Sequence, residues 1–186
     1  HRLVLVITGK GRGGGGGGPM PRRPGELRRQ VPLWLRQAPL AGIVKDVVED
    51  WRPRMEDKGL TFEVEIPDEL PPIDADSRRL RWAVIHLVRN ALQYTLSGGS
   101  VTVRLVERDE HVVLDVVDTG IGISEEDQKH LFSRFYRVTN MPEGEVRGLG
   151  VGLYLSQAIV EAHGGEIDFV SKEGEGSTFR VLLPIT

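Results

Sequence analysis

The sequence has 186 residues, enough for one domain of ordinary size or for one domain with an additional segment. It contains no cysteine, which excludes disulfides, thiolate metal sites and cysteine nucleophiles. Residues 1–40 hold eight basic and one acidic residue (+7), and the remainder holds 16 basic and 26 acidic residues (−10). The apolar run at residues 3–7 is too short to cross a bilayer, so we expect a cytoplasmic chain, whose full-length parent can still be membrane-anchored.

The first 40 residues combine low-complexity sequence with basic charge. Six consecutive glycines at residues 13–18 predict a flexible tract, and a short basic helix is expected over residues 27–35. Residues 3–12 and 27–35 resemble the later half of a Smr (small MutS-related) domain. The earlier Leu-His-Gly strand of that family and its closing strand are missing, so no nuclease activity is carried over. We predict a partly disordered segment over residues 1–40 and a separate folded domain over residues 41–186.

From residue 41 onward the apolar residues recur with regular periods. The spacing over residues 44–55 predicts a helix, and the alternation over residues 60–66 predicts a half-buried strand. Asp76 is a suitable N-cap for a long helix whose apolar stripe covers residues 80–92. Residues 101–116 alternate again around a polar turn, which predicts a hairpin.

Helices and strands continue to alternate toward the carboxyl end. Ser124 is expected to start a short helix that runs into residues 131–137, before a polar loop over residues 139–147. A further helix is predicted to begin in the glycine-rich stretch 148–153, and a last hairpin to cover residues 167–183. This order of elements predicts a two-layer α/β sandwich with a mixed sheet.

The stretch from Asp115 to Ile123 carries the clearest functional signal. A β-branched strand ends there in Asp118, and the glycines at 120 and 122 let the backbone approach a ligand. A carboxylate at a strand end can accept a hydrogen bond from an exocyclic amine. Taken alone, the motif fits an ordinary strand-to-loop turn equally well.

Three other motifs flank this stretch. Asn90 lies beside the apolar stripe of the long helix, where its amide needs partners such as a hard cation with phosphate oxygens. The glycine-rich residues 148–152 directly precede a helix, whose free N–H groups and dipole favour an anion. Residues 174–179 form a third glycine-containing turn. The alternative interpretations are a satisfied helical Asn, a flexible hinge and a plain hairpin turn.

In this order and spacing the four motifs resemble those of the GHKL ATPase superfamily, and most of all the ATP-binding catalytic domain of bacterial sensor histidine kinases. The resemblance covers residues 41–186 and implies a Bergerat-type fold, with a mixed, mostly antiparallel sheet covered on one face by helices. The matching residues are Asn90, Ala91, Tyr94 and Thr95 (N box), Asp118, Thr119, Gly120, Ile121 and Gly122 (first glycine box), Phe132 and Phe135 (F box), Gly148, Gly150 and Gly152 (second glycine box), and Gly174, Gly176 and Ser177 (third glycine box).

The resemblance implies a site for ATP and Mg²⁺. Asp118 would accept from the adenine amine, Asn90 would hold Mg²⁺, and Arg137 is either a phosphate ligand or a solvated charge. Residues 139–147 would form the lid over ATP. The residues expected to bind ATP are Asn90, Tyr94, Asp118, Gly120, Gly122, Phe132, Phe135, Arg137, Gly148, Leu149, Gly150, Gly152, Leu153, Ser177 and Thr178.

The sequence departs from the family at three points. His86 stands four residues before Asn90, where histidine kinases usually carry a second Asn and gyrase-like members a Glu that activates water. His86 is therefore either a substitute metal ligand or base, or a packed, hydrogen-bonded histidine. Gln93 stands where the family often has Lys, so one phosphate-neutralising charge is missing. No histidine is followed by the phosphoacceptor pattern, so we expect no autophosphorylation by this chain alone.

The leading hypothesis is a kinase catalytic domain in two-component signalling. It would bind Mg-ATP and donate the γ-phosphoryl group to a histidine on a separate dimerisation and phosphoacceptor domain, with a response regulator as an indirect partner. The alternatives are a GHKL-type ATPase or serine kinase, and a nucleotide-binding module without catalysis. Nucleic acid is expected as a partner only if the basic residues 1–40 bind it, and the net negative charge of residues 41–186 argues against such binding.

Overall fold

The computed structural model of the chain describes residues 35–138 and 149–186. The glycine tract, the Smr-like segments, the basic helix predicted over residues 27–35 (apart from Leu35) and the polar loop over residues 139–147 lie outside these ranges. The elements are, in chain order, β1 (Arg36–Ala38), α1 (Leu40–Asp57), β2 (Thr61–Glu65), β3 (Ile73–Ala75), α2 (Ser77–Tyr94), β4 (Ser100–Arg108), β5 (His111–Asp118), α3 (Glu125–Gln128), α4 (Gly152–Ala162), β6 (Glu166–Lys172) and β7 (Gly176–Pro184). Within the described ranges, no helix combines the length and apolarity needed to cross a membrane.

Five strands form the main sheet, in the order β2-β4-β5-β7-β6. β2 runs parallel to β4 and the other neighbours are antiparallel, which confirms the predicted mixed, mostly antiparallel sheet. β4 and β5 form the predicted hairpin, with Asp109 at its turn in the left-handed region (φ 54°). The register places Asp118, the last residue of β5, opposite Ser177 at the start of β7. These two strand ends therefore meet at one end of the sheet.

Helices α1, α2 and α4 cover one face of this sheet, which confirms the predicted two-layer sandwich. Alternate residues of β4 and β5 point toward the helices, because successive side chains of a strand face opposite sides. At most 1% of the surface of each is exposed, and each such Val or Leu contributes about 1.5–3 kcal/mol through burial. These residues are Val101, Val103, Leu105, Val112, Leu114 and Val116. Asp118 ends the same inward-facing row, so its carboxylate points toward the helix layer.

Helix α2 is fixed at both ends. The Asp76 carboxylate accepts a hydrogen bond from the backbone N–H of Arg79 at 3.1 Å, which confirms the predicted N-cap. At the other end, Thr95 Oγ1 donates to the carbonyl of Ala91 at 2.7 Å and satisfies one of the last-turn carbonyls. The apolar stripe between these ends is buried. The side chains on the last three turns therefore project from a rigid support.

The opposite face of the sheet carries a row of alternating charges. The strand register brings one residue of each strand into line, namely Glu65, Arg104, Asp115, Arg180 and Asp168. Arg180 donates two hydrogen bonds to the Asp115 carboxylate, at 2.7 and 3.1 Å. Asp115 is only 6% exposed, so the arginine supplies the positive partner that this buried carboxylate needs. Opposite charges on paired strands support the register that aligns the strand ends at the site.

Two features differ from the predictions. β1 pairs antiparallel with β3, and neither strand was predicted, because three residues contain too few positions for a periodicity. The folded part of the described chain therefore includes residues before 41, the boundary expected from the sequence. The short helix α3 starts after Ser124 as predicted but ends at Gln128, and residues 131–137 lie in turns and loop instead of helix.

Candidate functional site

A cavity opens where the last three turns of α2 face the end of β5, the start of β7 and the start of α4. The sequence-predicted ligand residues in its wall are Asn90, Tyr94, Asp118, Gly122, Arg137, Leu149, Gly150, Gly152, Leu153 and Ser177, together with the candidate metal ligand His86. The structure thus brings together residues from all of the predicted motifs except the F box. Their roles as ligand-binding residues remain predictions.

Asp118 provides the buried acidic group of this cavity. Its Oδ1 accepts a hydrogen bond from the backbone N–H of Gly120 at 2.9 Å, and the residue is 6% exposed. Burial raises the pKa of Asp118 from 3.8 to about 6, against the backbone hydrogen bonds from Gly120 and Ser177, which lower it. A carboxylate that is ionised at neutral pH and accepts from two backbone N–H groups still has acceptor positions for an amine of a ligand.

The loop after Asp118 lies so close to the β6–β7 turn that only glycine fits. Gly122 has φ 65°, and a Cβ there would lie 1.9 Å from the carbonyl oxygen of Lys172. A Cβ at Gly176 would lie 2.0 Å from the carbonyl oxygen of Asp118. The first and third glycine motifs therefore fix the position of Asp118 by close backbone packing.

The α2 side of the cavity presents consecutive polar residues of one helix face. His86, Asn90 and Gln93 follow one another at intervals of four and three residues, the spacing of neighbours on a helix. His86 is half-buried, and burial, followed by the charge of Arg89, lowers its pKa to about 4. The His86 ring is therefore neutral at physiological pH, in agreement with the interpretation of a packed, hydrogen-bonded histidine.

The start of α4 faces this helix. Gly150 has φ 65°, and Leu149 before it is 78% exposed. The N-cap residue Val151 supplies no side-chain hydrogen bond, so its side chain does not cap the first-turn N–H groups of α4. Together with the helix dipole, they favour an anion. Gly148, the first glycine of this predicted motif, lies outside the described residues.

Four predicted ligand residues are not in the cavity wall. Gly120 lies beneath it, where a Cβ would meet the carbonyl oxygen of Tyr94 at 2.4 Å. Phe132 packs edge-on against Phe169, with ring centroids 5.8 Å apart, and Phe135 is 73% exposed with φ 63°. Thr178 lies on the outer face of the sheet, because neighbouring residues of a strand face opposite sides and Ser177 faces inward. For these four residues direct contact with a ligand is not supported.

Several wall residues were not predicted as ligand residues. The apolar ones line the space beside Asp118, where they can hold a flat apolar group. Tyr136 donates from its hydroxyl to Asp127 Oδ1 at 2.6 Å, which anchors the segment before residue 139 to α3. The spacing of three residues from His86 could have revealed Arg89, and strand alternation could have revealed Phe179. The missed residues are Arg89, Gln93, Ile123, Leu131, Tyr136, Val138, Val151 and Phe179.

Comparison with known proteins places this geometry in a family. Residues 75–186 match the family described as histidine kinase-, DNA gyrase B- and HSP90-like ATPases. The adaptive-response sensory kinase SasA of a Synechococcus strain is 38% identical over 147 residues, which cover 78% of this chain and 38% of that protein. The non-motile and phage-resistance protein of Caulobacter vibrioides is 36% identical over 150 residues, 78% of this chain and 18% of that protein. The chain thus spans well under half of the length of these relatives.

Solved structures share the fold. The catalytic domain of histidine kinase ThkA superposes with a TM-score of 0.71 at 26% identity, covering 83% of this chain and 97% of that one. Full-length ShkA in complex with AMPPNP gives a TM-score of 0.72 at 27% identity, over 84% of this chain and 32% of that one. The mycobacterial sensor histidine kinase MprB gives 0.67 at 28% identity, over 81% and 97% of the two chains. The chain belongs to the family of histidine kinase-, DNA gyrase B- and HSP90-like ATPases.

Proposed function

We propose that this chain is the ATP-binding catalytic domain of a sensor histidine kinase. It binds Mg-ATP and donates the γ-phosphoryl group to a histidine on a separate phosphoacceptor domain, from which a response regulator receives it. The observation that carries the proposal is that Asp118, Asn90 and the start of α4 line the same cavity. The relatives named as kinases, and the AMPPNP bound by full-length ShkA, support it.

The adenine end of the site is the part of the cavity around Asp118. The ionised carboxylate accepts a hydrogen bond from the exocyclic amine of adenine, which regains part of the free energy lost by burying the charge. Ile123, Leu131 and Phe179 supply apolar surface for the base next to it. A guanine base carries a carbonyl at the position of that amine, so the same carboxylate disfavours it.

The phosphate end of the site is formed by α2 and the start of α4. Backbone N–H groups from Gly150 onward, with the dipole of α4, attract the phosphate chain, and Arg137 adds a positive charge to the same wall. Phosphoryl transfer mainly requires positioning and charge neutralisation, which these groups supply. We retain residues 139–147 as the proposed lid, although they lie outside the described residues.

The donor set fits a magnesium ion that is held together with the nucleotide. In residues 35–138 and 149–186, no three His, Cys, Asp or Glu side chains cluster into a metal site. Mg²⁺ binds through few protein oxygens together with phosphate oxygens and water, and the Asn90 carboxamide in the cavity wall is a suitable protein ligand. When bound, Mg²⁺ neutralises phosphate charge. His86 does not fit as its ligand, because a guanidinium nitrogen of Arg89 lies 3.1 Å from Nε2.

The residue at position 86 favours transfer over hydrolysis. A hydrolytic member of the gyrase type needs a carboxylate there to activate water, and this chain has His86. Its Nε2 is engaged with Arg89, and its Nδ1 is buried. No group at this position is therefore available as a general base, which supports a phosphoryl acceptor other than water.

Calorimetry and a transfer assay test the proposal. The 186-residue chain should bind Mg-ATP, and Asp118→Asn and Asn90→Ala should each weaken binding severely, whereas Asp109→Asn at the exposed hairpin turn should not. With radiolabelled ATP, the label should appear on a separately supplied phosphoacceptor domain and not on the same domain with its histidine replaced by Gln. Unchanged affinity in both site variants would refute the nucleotide site. Release of phosphate with no labelled domain would refute the kinase assignment in favour of an ATPase.

A further inference from the structure

The His86 ring occupies a defined position between two helices. A Cβ on Gly152 would lie 1.6 Å from His86 Cε1, so the imidazole lies directly against the first residue of α4. On α2 itself, the ring of Trp82 contacts the imidazole, with centroids 4.7 Å apart. Packing from both helices fixes the direction in which the ring nitrogens point.

The fixed ring is bound to an arginine one turn further along α2. A terminal guanidinium nitrogen of Arg89 lies 3.1 Å from His86 Nε2. A guanidinium can only donate, so Nε2 accepts and the proton of the neutral ring resides on Nδ1, which is buried. The lowered pKa of His86 keeps the ring in this accepting form at neutral pH. The imidazole therefore holds the Arg89 side chain by one hydrogen bond of defined direction.

The held guanidinium faces the phosphate end of the cavity. Arg89 lines the wall together with Arg137. Burial raises the pKa of the nearby Tyr94 hydroxyl, and the charges of Arg137 and Arg89 oppose this rise. The next wall residue on this side of α2, Gln93, carries no charge. Among the α2 residues of the wall, Arg89 is therefore the permanent cation that can meet a polyanion.

We propose that His86 and Arg89 act as one unit, in which the imidazole positions the guanidinium to bind the phosphate chain of the nucleotide. Arg89 is the binding residue and His86 a positioning residue that acts through it. This inference rests on the proposed nucleotide site. It adds Arg89 to that site as a cation that is not among the matching residues of the family motifs. A guanidinium pairs with phosphate oxygens through fixed N–H donors, so its orientation decides how well it binds.

Calorimetry of the 186-residue chain with adenosine, ADP and ATP, the nucleotides with Mg²⁺, tests the binding role. Arg89→Ala should weaken ATP binding about tenfold, the scale of one partly exposed charge-assisted contact, ADP binding by less, and adenosine binding not measurably. Arg78→Ala, an exposed arginine of the first turn of α2 outside the cavity wall, is the matched control and should change none of the three. Gln93→Lys in the Arg89→Ala background should recover part of the ATP affinity.

A double-mutant cycle tests the positioning role. His86→Ala should weaken ATP binding about threefold, but in the Arg89→Ala background it should have no further effect, because its action passes through the arginine. His86→Gln, which keeps an acceptor, should retain most of the affinity, and circular dichroism checks that each variant is folded. If the losses of ATP affinity in the two single variants were additive in the double variant, His86 would act independently of Arg89, and the proposal that the two residues act as one unit would be overturned.

The outcomes separate this inference from the proposed function. If wild-type protein binds adenosine and Mg-ATP but Arg89→Ala binds ATP as the wild type does, the inference fails and the nucleotide site stands. Equal losses for adenosine and ATP in Arg89→Ala would likewise overturn the phosphate role. If wild-type protein binds neither ligand, the proposed function itself is refuted.

Discussion

Replacing Asp118 by Asn should stabilise the ligand-free protein at neutral pH, even though it removes the proposed acceptor for adenine. Asp118 is 6% exposed, and burial raises its pKa from 3.8 to about 6 despite two backbone hydrogen bonds that favour the anion. At neutral pH the folded protein therefore bears the cost of a buried carboxylate. Asn has nearly the same shape, keeps an oxygen that accepts from the N–H of Gly120, and carries no charge.

The sign and size of the effect follow from proton linkage. Because the pKa of Asp118 is higher in the folded than in the unfolded chain, the folded state binds more protons between pH 3.8 and about 6. The stability of the wild type consequently falls as pH rises through this window. The difference between the two pKa values corresponds to about 3 kcal/mol above the window, and about 2 kcal/mol of it should develop between pH 4.5 and pH 7.5.

Urea denaturation of both proteins at these two pH values measures the effect. The free energy of unfolding of Asp118→Asn, relative to wild type, should increase by about 2 kcal/mol from the lower to the higher pH. Other titrating groups contribute equally to both proteins and cancel in this difference. Asp109→Asn, at the exposed hairpin turn, is the control and should show a constant difference. A constant difference for Asp118→Asn as well would refute the claim that burial raises the pKa of this carboxyl.

Three other predictions concern the site and the sheet. The affinity for adenosine, which carries no titrating phosphate, should rise in calorimetry from about pH 5 to pH 7, because the carboxylate of Asp118 accepts more strongly from the amine once it is ionised. Gly152→Ala should lower the melting temperature, since its Cβ would overlap the facing imidazole, whereas Gly42→Ala, whose nearest neighbour is 3.8 Å away, should leave it unchanged or raise it. Asp115→Ala should lower the free energy of unfolding in urea by about 3 kcal/mol, because Arg180 loses its two-bond partner.

The long, regular elements could be predicted from the sequence because several signals agree there. α2 has an apolar stripe over its whole length, a capping Asp76 and glycines after its end, and the structure confirms it. The strands of the main sheet are long enough for alternation to show. β1 and β3 have three residues each, so pairing with a distant segment forms them, and no local pattern encodes that pairing.

The residues of the candidate site could likewise be predicted from the sequence only in part. A helix fixes the relative placement of its residues, so the spacing on α2 was sufficient to place His86 and Asn90 on one wall. Alternation along β7 also places Ser177 and Thr178 on opposite faces of the sheet. The prediction of both as ligand residues followed the family resemblance and did not take this alternation into account. Phe135 adopts a positive φ of 63°, which an aromatic residue rarely does, and no sequence pattern predicts that it turns away into solvent.

Two features that cost the fold free energy, His86 Nδ1 and the Asp118 carboxylate, belong to residues of the cavity wall. In the part of the chain that the structure describes, the buried side-chain polar atoms without a partner are His86 Nδ1 on α2 and Ser156 Oγ on α4. Asp118 adds a buried charge, whereas the equally buried Asp115 on the outer face is neutralised by two hydrogen bonds from Arg180. Stability alone would favour a neutral residue at position 118. A ligand that donates to this carboxylate regains part of the lost free energy on binding, so the cost of the buried charge and the proposed affinity for an amine-bearing base have the same physical origin.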